Sequence, residues 1–349
     1  MDVPGPRSTT ERAAGNPISL SRLLPKPVHY VMAGGGAHGA VQWGALQALA
    51  QTDLTPDAII GTSAGALTGA VLAEDAASGV ARLAYVWGQM NMSYLVGDKW
   101  WSRSITQVRS PGLVSNASEQ ATIENLLAAE AIEDLDVPFA AVATDLATGR
   151  PHMFDTGPLV PALLASSAIP GVLPPVIIEG RPYCDGLVSA NLPAVPAVQR
   201  GAGSIVVLDT GVRQAGDPGV TATKVLGRVS AIMAASQRRR QLREAGRHVP
   251  VLLLPTPDDL GGSLEFDDTM RAAGAAYAMS RSFLADLAVK HRRRLRLRRP
   301  LRNRRFEIRQ VRFRPRDHGR LPVRSGCAPR EGQRQSAHER LRPVGRAGR

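Results

Sequence analysis

Cysteine is almost missing from this 349-residue chain. Only Cys184 and Cys327 occur, too few and too far apart for a disulfide framework or a cysteine-held metal. Aromatic residues make up 4% of the chain, so any core must be built mainly from Ala, Val, Leu and Ile. There is no run of 18 apolar residues, which argues against a membrane-spanning helix. The opening "MDVPGPRSTTERAAGNP" lacks the basic-then-apolar order of a secretory signal. Lysine is scarce as well: Lys26, Lys99, Lys224 and Lys290 are the only four. These absences make a cytoplasmic location the default and call for no metal and no cofactor. Oligomeric state leaves no mark on the sequence.

The formal charge of +13 is unevenly held. Residues 291–349 carry 21 Arg against four acidic residues (Glu307, Asp317, Glu331, Glu339), a net of +17. That leaves −4 for residues 1–290, so the body is mildly acidic and the basicity belongs to one tail. Interrupted by Pro and Gly, the tail is expected to be disordered and dispensable for catalysis. It would give peripheral contact with anionic membranes, nucleic acid being the less expected partner. Its Arg, Pro and Gly content also fits an out-of-frame reading of a GC-rich gene end.

Residues 1–27 read as a disordered leader. Between His29 and about Lys290, short apolar runs alternate with helical stretches, as in a layered α/β fold. The clearest strands are "VHYVMA", "AII" before Gly61, "FAAVATD", "SIVVLDT" and "VPVLLLP". Helices are expected after Gly39 and Gly65 and over "EQATIENLLAAE", "VTATKVLGRVSAIMAASQ" and "FDDTMRAAGAAYAMSRSFLADLAV". Trp100 and Trp101, beside Lys99 and Arg103, read as a surface loop or as a lid at a half-wet boundary.

Three glycines end the first strand in "VMAGGGAHGA". Gly34, Gly36 and Gly39 fit the G-x-G-x-x-G dinucleotide fingerprint, with Asp53 or Asp57 as ribose ligand. The same turn could equally aim bare backbone N–H groups at an oxyanion. Further on, "GTSAG" places Ser63 between a short strand and a helix, flanked by Gly61 and Gly65, the context of a nucleophile elbow. A serine nucleophile needs a base. His248 is the one histidine in a folded region that a Ser–Asp–His order could use. Otherwise a carboxylate must act directly, and Asp185–Gly186, the only Asp-Gly in the chain, reads by itself as a hairpin turn.

Taken together, "GGGAHG", "GTSAG" with Ser63 27 residues after Gly36, and "DG" with Asp185 122 residues after Ser63 resemble the patatin-like phospholipase family. The blocks "VATDLATGRPHMFDTG", "ASSAIPGVLPPVIIEGRPYCDG", "SPGLVSNASEQATIENLL" and "LEFDDTMRAAGAAYAM" look like further segments of that family. The resemblance covers residues 28–290. It implies a three-layer α/β/α fold with a mostly parallel sheet and a lipid acyl hydrolase of the phospholipase A or lysophospholipase kind. Ser63 would be the nucleophile and Asp185 the base. The amides of the Gly34, Gly35 and Gly36 turn, chiefly the last two, would form the oxyanion hole. Gly39, Gly61, Gly65 and Gly186 would support these motifs. Many relatives carry Arg where this chain has His38, which makes His38 a candidate substrate contact. An Asp of ordinary pKa is a poor base for a hydroxyl, so an apolar cleft would have to raise it.

Overall fold

The computed structural model describes residues 19–89, 115–211 and 222–296, apart from 259, 261, 263 and 264. Trp100, Trp101, Cys327 and most of the basic tail lie outside the described residues.

Eight strands form one sheet. In chain order they are β1 Val28–Met32, β2 Ala58–Thr62, β3 Phe139–Asp145, β4 Pro151–Phe154, β5 Val176–Ile178, β6 Arg181–Asp185, β7 Ser204–Leu208 and β8 Val251–Leu253. The sheet order is β5-β6-β3-β2-β1-β7-β8, with β4 paired to β3. The five strands from β3 to β8 run parallel, whereas β4, β5 and β6 are antiparallel additions at one end. All five predicted strands are present. Of the three antiparallel ones, β4 and β5 are short and largely uncovered, and β6 begins exposed at Arg181 and is buried only from Tyr183 to Asp185, so none carries a continuous buried-strand signature.

Alternation along β1 shows the layering. Tyr30 and Met32 pack with Ile59, Phe139 and Leu208 into one core, whereas Val31 and Ala33 pack with Ile60, Val142 and Val207 into another. The first face is covered by α1 Gly39–Leu49, α2 Ala64–Glu74, α3 Gly79–Gln89, α4 Ala117–Leu126 and α5 Leu159–Ser167. The second is covered by α6 Leu187–Ala190, α7 Ala194–Gln199 and α8 Ala222–His248, which contribute Ala190, Ala194, Ala197 and Ala245. A last helix, α9 Thr269–Arg296, lies along α1 so closely that a Cβ on Gly44 would strike the Ala273 carbonyl. Sheet and two helical layers make the expected three-layer α/β/α fold.

Two expected boundaries move. Residues 19–27, assigned to a disordered leader, are packed: Leu20 and Leu24 are buried in the core. Asp53 accepts from the Ser21 N–H (2.9 Å) and the Ser21 hydroxyl (2.7 Å), and also from the Leu20 N–H. At the other end α9 runs six residues past Lys290.

Candidate active site

Ser63 ends β2 and opens α2. Its backbone, with φ 53° and ψ −126°, lies where only glycine is comfortable. Such a conformation costs of order 1–3 kcal/mol and persists only where neighbours enforce it. The neighbours are visible. The Ser63 N–H donates to Ser166 Oγ (2.9 Å), whose hydroxyl donates to the Val142 carbonyl (2.7 Å). Gly61 and Gly65 are glycine because of close approach and not because of their own φ. A Cβ on Gly65 would lie 2.5 Å from the Met32 carbonyl, and one on Gly61 would strike the Gly65 carbonyl. The N-terminus of α2 is thereby drawn against the end of β1.

Sheet register brings Asp185 to the same place. On β3, Val142 pairs with Thr62 of β2, and the next residue, Ala143, pairs with Asp185 of β6. Residues 141–144 also pair with β4, which fills the other edge of β3. Strands β2 and β6 therefore share one edge, end to end, and Asp185 arrives just beyond the residue that precedes Ser63. The Ser63 hydroxyl is near enough to the Asp185 carboxylate to lower its pKa, and the Leu187 N–H donates to Asp185 Oδ1 (2.7 Å). Burial pushes Asp185 up to about 6, with the Leu187 amide and the nearby Ser63 hydroxyl pulling the other way. The expected Asp-Gly hairpin turn is not there. The β5–β6 turn is made by Glu179 and Gly180, both with positive φ, and Gly186 is glycine because a Cβ would strike the Val142 carbonyl.

The glycine turn after β1 is fixed by two side chains absent from the sequence reading, Asn191 and Thr210. The Gly34 carbonyl accepts from Thr210 Oγ1 (2.8 Å) and Asn191 Nδ2 (3.2 Å), and the Gly34 N–H donates to the Asn191 carbonyl (2.9 Å). A Cβ on Gly34 or Gly35 would lie 2.6 or 2.5 Å from Asn191 Oδ1 and Thr210 Oγ1. The amide of Gly34, expected in an oxyanion hole, is therefore already committed. In a trans peptide N–H and C=O point opposite ways, so the Gly35 N–H is turned away from Thr210 and Asn191. The amides of Gly35 and Gly36 open a 3-10 turn, Gly36–His38, where orphan donors are expected. Among the described residues neither has a hydrogen-bond partner. Buried Gln42 braces the turn by donating to the Ala33 (2.7 Å) and Leu208 (3.0 Å) carbonyls.

Gly36 and Ser63 lie on the wall of a cavity lined almost wholly by apolar side chains, among them Leu83, Trp87, Ile123 and Leu173. Glu119 of α4 also stands on that wall, 2% exposed. Burial pushes its carboxyl up to about 7, and the charge of Asp185 adds to the rise. No motif marked Glu119; its only signal is a carboxylate three residues into an otherwise unremarkable helical run.

Other expectations fare differently. His38 is buried but lines a separate small pocket with Ala37, Leu260 and Asp268, not the cavity at Ser63, which removes it as a substrate contact there. Gly39 is glycine because a Cβ would lie 2.5 Å from the Trp87 ring. His248 does not open a strand: α8 continues through "RRRQLREAGRH", and His248 ends it, exposed and 3.3 Å from Glu244. It is no partner for Asp185. Asp53 holds residues 19–21, and Asp57 accepts from Lys26 Nζ (2.9 Å) and the Val28 N–H (2.7 Å), so neither is free for a ribose. The Cys184 thiol is buried and pushed up to about 11, unsuited to nucleophilic work. Among the described residues no cluster of His, Cys, Asp and Glu could hold a metal, and no helix is long and apolar enough to cross a membrane.

With this geometry in hand, comparison with known proteins is informative. The family model for patatin-like phospholipases matches residues 30–198, the span from β1 through Ser63 and Asp185 to α7. This part of the chain belongs to the patatin-like phospholipase family. Patatin-like phospholipase domain-containing protein 7 of Rattus norvegicus is 32% identical over 204 residues, 57% of this chain and 15% of that protein. An uncharacterized NTE family protein of Mycobacterium tuberculosis is 28% identical over 258 residues, 69% of this chain and 64% of its own length. The chain thus spans a small part of the rat relative and less than two thirds of the mycobacterial one. Among solved structures, VipD from Legionella pneumophila aligns over 75% of this chain and 67% of its own, with 14% identity and a TM-score of 0.41. Every residue lining the cavity at Ser63 except Phe266 lies within the matched stretch.

Proposed function

We propose that the patatin-like domain is a lipid acyl hydrolase that cleaves carboxylic esters of the phospholipid or lysophospholipid kind with a Ser63–Asp185 dyad. The observation that carries this reading is a buried carboxylate, raised to about 6, beside a serine on a strained strand-to-helix turn. A base poised near neutrality, within reach of the hydroxyl it must deprotonate, is what acyl transfer needs.

Ser63 Oγ attacks the ester carbonyl carbon as its proton passes to Asp185. The carbonyl oxygen takes up negative charge and is held by the Gly35 and Gly36 amides, helped by the positive end of α2. Collapse expels the alcohol, which leaves with the proton from Asp185, and the acyl group stays on Ser63. Water then attacks the acyl-enzyme, giving its proton to Asp185. The second collapse releases the fatty acid and returns the proton to Ser63. The apolar cavity takes the acyl chain, and its dryness keeps Asp185 a strong enough base.

Hydrolysis of a short-chain p-nitrophenyl ester by wild type, Ser63→Ala and His248→Ala tests the reading. The alanine at 63 should reduce the rate to background with the fold intact by circular dichroism, and the change at 248 should leave kcat within twofold. Retention of a tenth of the wild-type kcat by Ser63→Ala, or collapse of activity in His248→Ala, would remove the dyad.

A further inference from the structure

The acyl cavity is apolar in bulk, yet three residues on its wall hold a buried polar atom with no hydrogen-bond partner among the described residues: both oxygens of Glu119, Oγ1 of Thr68 and Nε1 of Trp87. Buried polar groups are nearly always paired, and an unpaired one costs its full desolvation. Two of these three have an ordinary use they do not make. Glu119 lies in the first turn of α4, where a carboxylate could cap the helix, but neither oxygen bonds a backbone amide. Thr68 is in mid-helix, where its hydroxyl could bond back to a carbonyl one turn earlier, and it does not. Ser167 is near enough to Glu119 to lower its pKa somewhat, but its hydroxyl proton goes to the Leu163 carbonyl (2.8 Å). It can offer Glu119 only a lone pair.

Three orphaned groups around one otherwise greasy space point to a ligand that is greasy with a polar interruption. We propose that Glu119, supported by Thr68, is a specificity-determining residue that selects acyl chains bearing a hydroxyl group over unbroken alkyl chains. This rests on the hydrolase reading above. A hydroxyl both donates and accepts, matching a carboxylic acid and a threonine hydroxyl. A plain alkyl chain would displace any water from the cavity and leave Glu119 unpaired, as happens when a site built to bond a hydroxyl meets the analogue lacking it. The near-neutral carboxyl is consistent with this, because a protonated acid has a donor to give. A cationic head group is the poorer fit, since nothing else on the wall is charged.

The test compares p-nitrophenyl decanoate with a series carrying one hydroxyl at successive carbons, on wild type, Glu119→Leu, Glu119→Gln and Thr68→Val. One position, or two adjacent ones, should raise kcat/KM about tenfold over the plain ester in wild type. Glu119→Gln, which keeps a donor and an acceptor, should retain most of that preference. Glu119→Leu should lose it while gaining on the plain ester, with an unchanged or higher melting temperature, and Thr68→Val should weaken it. Equilibrium binding of matched methyl ketones, with and without the hydroxyl, to Ser63→Ala and to the double variant Ser63→Ala, Glu119→Leu reads the same preference without turnover. No position exceeding the plain ester by twofold, or an unchanged preference in Glu119→Leu, overturns the proposal. The hydrolase reading fails separately, if Ser63→Ala still turns the esters over.

Discussion

In an unfolded chain Asp185 would lose its proton near pH 3.8 and Glu119 near 4.5; in the folded protein they sit at about 6 and about 7. Both are acids whose pKa rises on folding, so the native state binds more protons than the unfolded one between those limits. Stability is therefore highest when both are protonated, falls as pH climbs through about 4 to 7, and stays reduced above that. For Asp185 the shift corresponds to at most about 3 kcal/mol. Asp185→Asn should accordingly raise the melting temperature at pH 8 and leave it unchanged at pH 3.5, while reducing kcat by a factor of about 10²–10⁴. Thermal melts beside ester assays read both, and a lower melting temperature at pH 8 would contradict the assignment of burial as the cause. The same carboxylate must be ionised to act as base, so wild-type kcat/KM on an uncharged ester should rise about tenfold per pH unit below pH 6 and level off above it. A profile flat from pH 5 to 8 would exclude Asp185 as the titrating base.

Among the elements, the β2–α2 elbow stores the strain and β1–α1 frames it. If positive φ at Ser63 is enforced and not intrinsic, Ser63→Gly should be more stable than Ser63→Ala by about 1–2 kcal/mol, both being inactive. Chemical denaturation separates the two variants, and equal stability would mean that the turn is unstrained. Gly65→Ala places a methyl 2.5 Å from the Met32 carbonyl and should destabilise the fold and abolish activity together. The sequence reveals these elements unevenly. Four of the five parallel strands are buried throughout and β8 is half-buried, and all five read as apolar runs. Ser63 and Asp185 stand out through the glycines that crowd them. Strands β4 and β6 gain their order from pairing with β3, and β5 from pairing with β6. The commitments of Asn191, Thr210 and Ser166 depend on contacts across 100 residues or more, beyond the reach of periodicity. That is why the commitment of the Gly34 amide to the Asn191 carbonyl leaves no mark in the sequence. Helix α8 overran its expected end because "RRRQLREAGRH" is strongly helix-forming, and this carried His248 out of any active-site role.

For the whole molecule, an acidic body and a tail of +17 suggest separable tasks. Deleting residues 297–349, which spares α9 and removes 17 Arg and four acidic residues, should leave kcat on a soluble ester unchanged within about twofold and weaken association with anionic vesicles at low salt more than at high salt. Sedimentation with phosphatidylglycerol vesicles would check this; equal binding with and without the tail would end its membrane role. Cutting at Lys290 instead would remove the last turns of α9, which packs on α1, and should destabilise the body. All of this presupposes that one serine performs acyl transfer. The most direct measurement is covalent labelling with a fluorophosphonate followed by peptide mapping, on wild type, Ser63→Ala and Asp185→Asn. The account predicts a single adduct on Ser63 in wild type, none in Ser63→Ala, and labelling slowed by orders of magnitude in Asp185→Asn. An adduct on any other residue, or full-rate labelling without Asp185, would contradict it.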